Sequence, residues 1–256
     1  MGKIMDFSFV INKPYLLVHA LNVRQPTPFP EWKIFKQGIK KEYPELVKYL
    51  ADHRLYEVLF LYLNADKLVE EFGGDVEQLI KRGLSHKAFE QLYRETEKYC
   101  AFVERQWKQN KDLVLRELPA ITGLTLPSED ITVYITHPAL RNGVALLRLN
   151  AICWGHPEDW KNYTTVYLCH ELLHILTIKQ RDSEVMHAII ELACDNELRI
   201  RLNGMGEYFN EGGKQVGHSE LLKIEKKILL HWRKYLKDDK KDIFEFEKVV
   251  KHLLKK

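Results

Sequence analysis

The sequence predicts a predominantly helical α+β protein with a small antiparallel sheet packed on a histidine-bearing helix. Residues 32–118 carry apolar side chains at the three- and four-residue spacing of amphipathic helices. Residues 131–136 alternate and are rich in β-branched side chains, and residues 143–149 are similar, so both stretches are predicted strands. The two strands can pair across the turn at residues 139–142. Residues 165–176 return to helical spacing.

Changes in this pattern divide the chain into three predicted parts. Residues 1–118 form a helical N-terminal region, because the longest amphipathic pattern ends at Pro119. Residues 119–218 form a core that contains the strands and the histidine-bearing helix, and within it Ser183 is the candidate N-cap of the next helix. Residues 219–256 form basic helices that pack on this core.

Composition excludes several classes of protein. With 45% apolar and 29% charged residues among 256, the chain has the composition of a soluble globular protein. A net charge of +3 is too small to favour a nucleic acid partner, and no apolar run is long enough to span a membrane. The four cysteines form no C-x-x-C pair, and no secretory signal is recognisable. We therefore expect a cytoplasmic protein with reduced thiols.

One motif carries recognisable chemistry. His170, Glu171 and His174 form the pattern H-E-x-x-H inside the helix at residues 165–176. A spacing of four residues places the two imidazoles on one helical face, one turn apart, where they can share a tetrahedral zinc ion. Glu171 is then adjacent to a water bound by that ion. Without a metal, the same two histidines would be ordinary interior residues.

A third ligand is needed, since catalytic zinc takes three protein ligands and keeps a fourth position open. If the next helix folds back, His187 and Glu191 come level with the two histidines. Glu191 and Asp195 lie four residues apart on one face. In the favoured arrangement Glu191 binds the metal, and Asp195 accepts the other N–H of His170 or His174. His187 remains the alternative third ligand.

This pattern resembles the gluzincin type of zinc metallopeptidase, in which H-E-x-x-H is followed by E-x-x-x-D on the next helix. The matching residues are His170-Glu171-Leu172-Leu173-His174 and Glu191-Leu192-Ala193-Cys194-Asp195. They span about 26 of the 256 residues. The resemblance implies a zincin-like catalytic core in residues 119–218, with a sheet whose edge strand lines a cleft.

The activity implied by this resemblance is hydrolysis of a peptide bond in a peptide or protein substrate. Zinc would lower the pKa of its water to ~7, and Glu171 would act as general base. The substrate would lie along the edge strand at residues 144–149. Tyr208 and His218, in a segment rich in glycine, are the candidate donors to the developing oxyanion. The alternative function is a zinc-binding regulatory or protein-interaction module that cleaves nothing.

Overall fold

The computed structural model describes residues 5–23, 27–52, 73–147 and 149–254, and this part of the chain is mostly helical. Its helices are α1 (Lys13–Asn22), α2 (Pro30–Glu42), α3 (Pro44–Asp52), α4 (Gly74–Leu84), α5 (Lys87–Thr122), α6 (Tyr163–Leu176), α7 (Glu184–Glu191), α8 (Arg199–Asn203), α9 (Leu222–Tyr235) and α10 (Ile243–Leu254). Its strands are β1 (Phe7–Val10), β2 (Ile131–Ile135), β3 (Asn142–Leu146), β4 (Ala151–Gly155), β5 (Asn210–Glu211) and β6 (Lys214–Gln215). The predominantly helical α+β class is therefore confirmed.

The first four strands form one mixed sheet in the order β1-β2-β4-β3. β2 pairs in parallel with both β1 and β4, whereas β3 pairs antiparallel with β4. The predicted antiparallel sheet is therefore wrong, and so is the pairing of residues 131–136 with residues 143–149. A turn that contains Asn150, at φ 52°, separates β3 from β4. Every residue of β4 is buried, as expected of a central strand with parallel pairing.

β3 lies beside α6, as does its neighbour β4. It has one strand partner among the described residues, β4, and thus forms an edge of the sheet. Gly143 and Val144 are exposed on this strand. An edge strand leaves backbone N–H and C=O groups available to an extended peptide.

Two clusters of buried apolar residues make up the core. The N-terminal lobe consists of α1–α4 and the beginning of α5, where Phe89 and Leu92 are buried. The second cluster joins the sheet, α6, α7, α9 and α10 to the remainder of α5, including Trp107 and Leu118. The boundary expected at residue 118 thus lies near the end of a helix that both clusters share. Residues 53–72 of the predicted N-terminal region lie outside the described residues.

α5 is the longest of the described helices, with 36 residues. It continues through Pro119, where the sequence pattern was expected to end, and runs to Thr122. Gly123, at φ 73°, is the left-handed residue that ends it. The Gly123 N–H donates to the Pro119 carbonyl at 2.8 Å. None of the described helices is both long enough and apolar enough to cross a membrane.

The chain from residue 184 to residue 203 is helical throughout but not uniformly α-helical. Ser183 Oγ accepts the Met186 N–H at 3.1 Å, which confirms Ser183 as the N-cap of α7. Between α7 and α8 lies a π-helical segment, Leu192–Leu198, which we call the π segment. The π segment packs on α5 and α6. Such π turns are frequent at functional sites.

Candidate metal centre

α6 brings His170 and His174 together as its sequence spacing predicts. Their Nε2 atoms lie 3.1 Å apart. Two nitrogen ligands about 2.05 Å from a tetrahedral zinc ion are separated by about 3.3 Å, so this pair fits such an ion closely. His170 is buried, with 2% of its surface exposed, and His174 is half-buried.

Asp195, on the π segment, fixes the orientation of the first imidazole. Its Oδ1 lies 2.9 Å from His170 Nδ1. With the Asp195 carboxylate as the acceptor, this hydrogen bond places the His170 proton on Nδ1 and leaves the Nε2 lone pair facing His174, as in metal sites where a carboxylate supports a histidine ligand. Of the two histidines offered by the sequence as partners of Asp195, the structure selects His170.

α7 adds His187 and Glu191 to the same centre. The His187 ring lies 4.7 Å from the His174 ring and 5.4 Å from the His170 ring, measured between centroids. His187 Nε2 is 3.7 Å from Glu191 Oε1, which is too long for a hydrogen bond. Glu191 is fully buried. Of the two candidates for the third ligand, His187 is the one whose donor atom groups with those of His170 and His174, whereas Glu191 groups with His187 and His218.

His218 reaches the centre from the segment between β6 and α9. Its backbone N–H lies 3.1 Å and 3.0 Å from the two carboxylate oxygens of Glu191, and its Nδ1 is hydrogen-bonded to Glu191 Oε1. Gly217, at φ 78°, makes this approach possible, because a side chain there would collide with the Glu191 carboxylate. His218 itself is exposed.

These side chains form two overlapping groups of potential metal ligands. One group contains His170, His174 and His187, and the other contains His187, Glu191 and His218. Within each group the ligand atoms all lie within 4.8 Å of one another. Nitrogen and carboxylate donors suit zinc and also other transition metals.

Burial keeps the first group of imidazoles neutral, the form in which they bind metals. It lowers the pKa of His170 and of His187 to about 4. Burial and the neighbouring imidazoles lower the pKa of His174 to about 2. His218 differs, because its hydrogen bond to Glu191 raises its pKa to about 9.

Glu171 lies next to His170 on α6, on the side of the edge strand. It is half-buried, and burial raises its pKa to about 7. The Ala145 backbone N–H of β3 donates to its carboxylate and opposes this rise. A carboxyl group with a pKa near neutrality is suited to proton transfer at physiological pH.

The structure does not bring Tyr208 to the imidazoles. Its hydroxyl donates to Glu197 Oε2 at 2.5 Å and accepts from Trp232 Nε1 at 3.1 Å. Tyr167 lies closer to the centre, with its ring 5.8 Å from that of His170. The sequence analysis missed Tyr167, although its position three residues before His170 places it on the same helical face.

The glycine-rich segment that carries His218 is attached to the π segment through polar side chains. Arg199 is fully buried and donates to the carbonyls of Asp195 at 2.7 Å and Glu207 at 2.6 Å. It also pairs with the Glu211 carboxylate. Asn196 Oδ1 accepts the Phe209 N–H at 2.7 Å. Arg199 and Asn196 therefore position the segment, a role that their isolated sequence positions did not indicate.

Comparison with known protein families, with curated proteins and with solved structures gave no significant match to this chain.

Proposed function

We propose that this chain is a zinc-dependent metallopeptidase with a zincin-like core. The observation that carries the proposal is that the Nε2 atoms of His170 and His174 lie 3.1 Å apart, while Asp195 is hydrogen-bonded to the other ring nitrogen of His170, Nδ1. Glu171 follows His170 directly and has a pKa of about 7. Two imidazoles, a supporting carboxylate and an adjacent proton acceptor are the parts that metal-assisted hydrolysis requires.

For the third ligand we propose Glu191, with His187 as the alternative. Zinc accepts either a carboxylate or a third imidazole beside two histidines. Glu191 is fully buried, and Asp195, one helical turn further on, supports His170. Zinc content after Glu191→Ala and after His187→Ala decides between them, since the variant that lacks the true ligand loses the metal.

Zinc, when bound, supplies Lewis acidity that lowers the pKa of a water molecule and polarises the substrate carbonyl. Glu171 would take a proton from a water molecule as the water oxygen bonds to the carbonyl carbon, and would pass that proton to the amine nitrogen as the C–N bond breaks. The Ala145 N–H donates to the Glu171 carboxylate and so orients it.

The substrate is proposed to lie extended along β3. This strand forms an edge of the sheet, and Val144 is exposed on it. Pairing with β3 would bring a peptide bond close to Glu171, because Ala145 of this strand contacts that residue. His218, which is bound to Glu191 and follows β6 in the chain, is the group proposed to stabilise the developing oxyanion.

The decisive variant is Glu171→Gln. It removes the proton acceptor but keeps the shape of the side chain, so zinc content should not change while cleavage of an unstructured polypeptide falls by at least ~100-fold. Glu184→Gln, at an exposed glutamate on α7, is the matched control and should keep full activity. Full activity in Glu171→Gln would refute the mechanism. A parent protein that holds zinc but cleaves no member of a peptide library would instead support the regulatory or interaction module.

A further inference from the structure

The centre holds more metal-binding groups than one catalytic ion uses. A single catalytic zinc takes three protein ligands and keeps one position open. Five side chains with suitable donor atoms converge here, namely His170, His174, His187, Glu191 and His218. Two donors therefore remain after a first ion has been bound.

The second group of ligands, His187, Glu191 and His218, has the properties of a site in its own right. Its donor atoms lie within 4.8 Å of one another. Within the described part of the chain, His187 Nε2 is buried and has no hydrogen-bond partner. An imidazole nitrogen that is buried without a partner costs free energy unless it binds something.

Buried carboxyl groups around the centre also offer oxygen atoms to a second cation. Three buried carboxyl groups surround it, those of Glu191, Asp195 and Glu225. Arg199 is the only buried guanidinium among the described residues. Asn196 contacts this set through Glu225, at 3.4 Å, and through the Glu191 carbonyl, at 3.1 Å. Buried carboxylates are stable when they are paired with cations or bind metals.

We infer that the centre binds two divalent cations, the first at His170 and His174 and the second at His187 and His218. Glu191 is the shared ligand, because a carboxylate offers two oxygens to two ions whereas a neutral imidazole has one free lone pair. Ions that share a carboxylate in this way are about 3.5–4 Å apart. This inference rests on the proposed function, since it takes the first site as a zinc site. His218 then acts as a ligand and not as a direct donor to the oxyanion.

The test is the metal stoichiometry of the full chain. Protein dialysed against excess Zn²⁺ and then against metal-free buffer should retain about two equivalents by elemental analysis. His218→Gln should retain about one equivalent, because it removes one ligand of the second ion and leaves His170 and His174 intact. His231→Ala, at an exposed histidine on α9, is the control and should retain two.

A Co²⁺ titration of the parent protein tests proximity without any substitution. The paramagnetic resonance signal should grow up to one equivalent and then be lost by spin coupling between one and two equivalents, as expected of ions that share a ligand. If His218→Gln fails to fold, as judged by circular dichroism, His187→Gln replaces it.

Each outcome separates this inference from the proposed function. One equivalent in the parent, unchanged in His218→Gln, overturns the second site and leaves the peptidase proposal standing. No metal in the parent overturns both. Two equivalents that persist in His218→Gln, or two uncoupled Co²⁺ signals, overturn the shared arrangement.

Discussion

The N-terminal lobe and the metal centre bury different kinds of side chain. Before residue 191, the described part of the chain buries no Asp, Glu, Lys or Arg, and the lobe packs apolar residues such as Trp32 and Leu92. From residue 191 onward, Glu191, Asp195 and Arg199 are fully buried. Apolar burial stabilises a fold, whereas burial of charge costs free energy unless each group is paired. The lobe is therefore held together by apolar packing, whereas the centre retains buried ionisable groups, as expected if the proposed function is correct.

The largest effect that separates the two regions should come from Leu92→Ala. Leu92 is fully buried in the lobe, so its truncation should lower the free energy of unfolding by about 2–5 kcal/mol. The zinc affinity of the folded protein should not change. Denaturant unfolding and a zinc competition titration measure the two quantities, with Gln91→Ala, at the exposed neighbouring position, as control. A tenfold loss of zinc affinity in Leu92→Ala would show that the regions are coupled.

Asp195→Ala should, unlike Leu92→Ala, lower zinc affinity. It leaves His170 Nδ1 without its partner, so zinc affinity should fall by about 10–100-fold. The free energy of unfolding of the metal-free protein should also fall, by about 1–3 kcal/mol, because His170 Nδ1 is then buried without a hydrogen-bond partner. Asp195→Asn keeps an oxygen acceptor and should lose less affinity. Unchanged affinity in Asp195→Ala would exclude Asp195 as a supporting residue.

The buried carboxyl group of Glu225 should make the free energy of unfolding depend on pH. Burial, together with Glu191 and Asp195, raises its pKa to about 9, while in the unfolded chain the pKa is near 4.5. Its contribution to stability is therefore fully present below pH 4.5 and is lost as the pH rises toward 9, by up to about 1.4 kcal/mol for each pH unit. Glu225→Gln should remove this dependence. Thermal unfolding of the parent and of Glu225→Gln at pH 5 and pH 8 measures this dependence. An equal change in unfolding temperature between the two pH values in both proteins would show that Glu225 is not its source.

The smallest effect is expected from Ser183→Ala. Ser183 caps α7 through the Met186 N–H and also donates to Glu247 Oε1 at 2.6 Å. Its loss should lower the free energy of unfolding by about 1 kcal/mol. Zinc affinity should stay within about twofold, because the ligands lie one turn or more beyond the cap. Ser183→Thr keeps the hydroxyl group and should restore stability; if it does not, the capping bond is unimportant.

Individual helices and strands were predicted correctly where residues close together in the sequence determine them. The spacing of apolar residues predicted α6, the hydroxyl of Ser183 predicted the start of α7, and the alternation of residues 131–136 predicted β2. The sheet order depends instead on β1, which pairs with β2 across more than 120 residues. The alternation within a strand does not indicate which other strand it pairs with. The local sequence also did not indicate that the chain turns back at Asn150, between β3 and β4.

The candidate site was predicted in the same partial way. Spacing on α6 and α7 indicated His170, Glu171, His174 and the choice between His187 and Glu191. His218 was predicted only because it lies in a glycine-rich segment. Tyr208 was predicted on the same ground, but its hydroxyl is hydrogen-bonded to Glu197. Segments of this kind are positioned by tertiary hydrogen bonds, here through Asn196 and Arg199, so their side chains cannot be placed from spacing.

The π segment has a consequence for insertions and deletions in this chain. A π turn closes its hydrogen bonds over one residue more than an α turn. The wider turn therefore takes up one residue, and deleting Ala193, for example, would let the helix return to α geometry with Arg199 still on the side that holds Glu207 and Glu211. Deleting one residue from the regular α-helix of α7, Ala188 for example, would instead rotate His187 by about 100° relative to Glu191. The length of α7 is therefore under constraint, whereas the π segment can lose a residue without changing the register of α8.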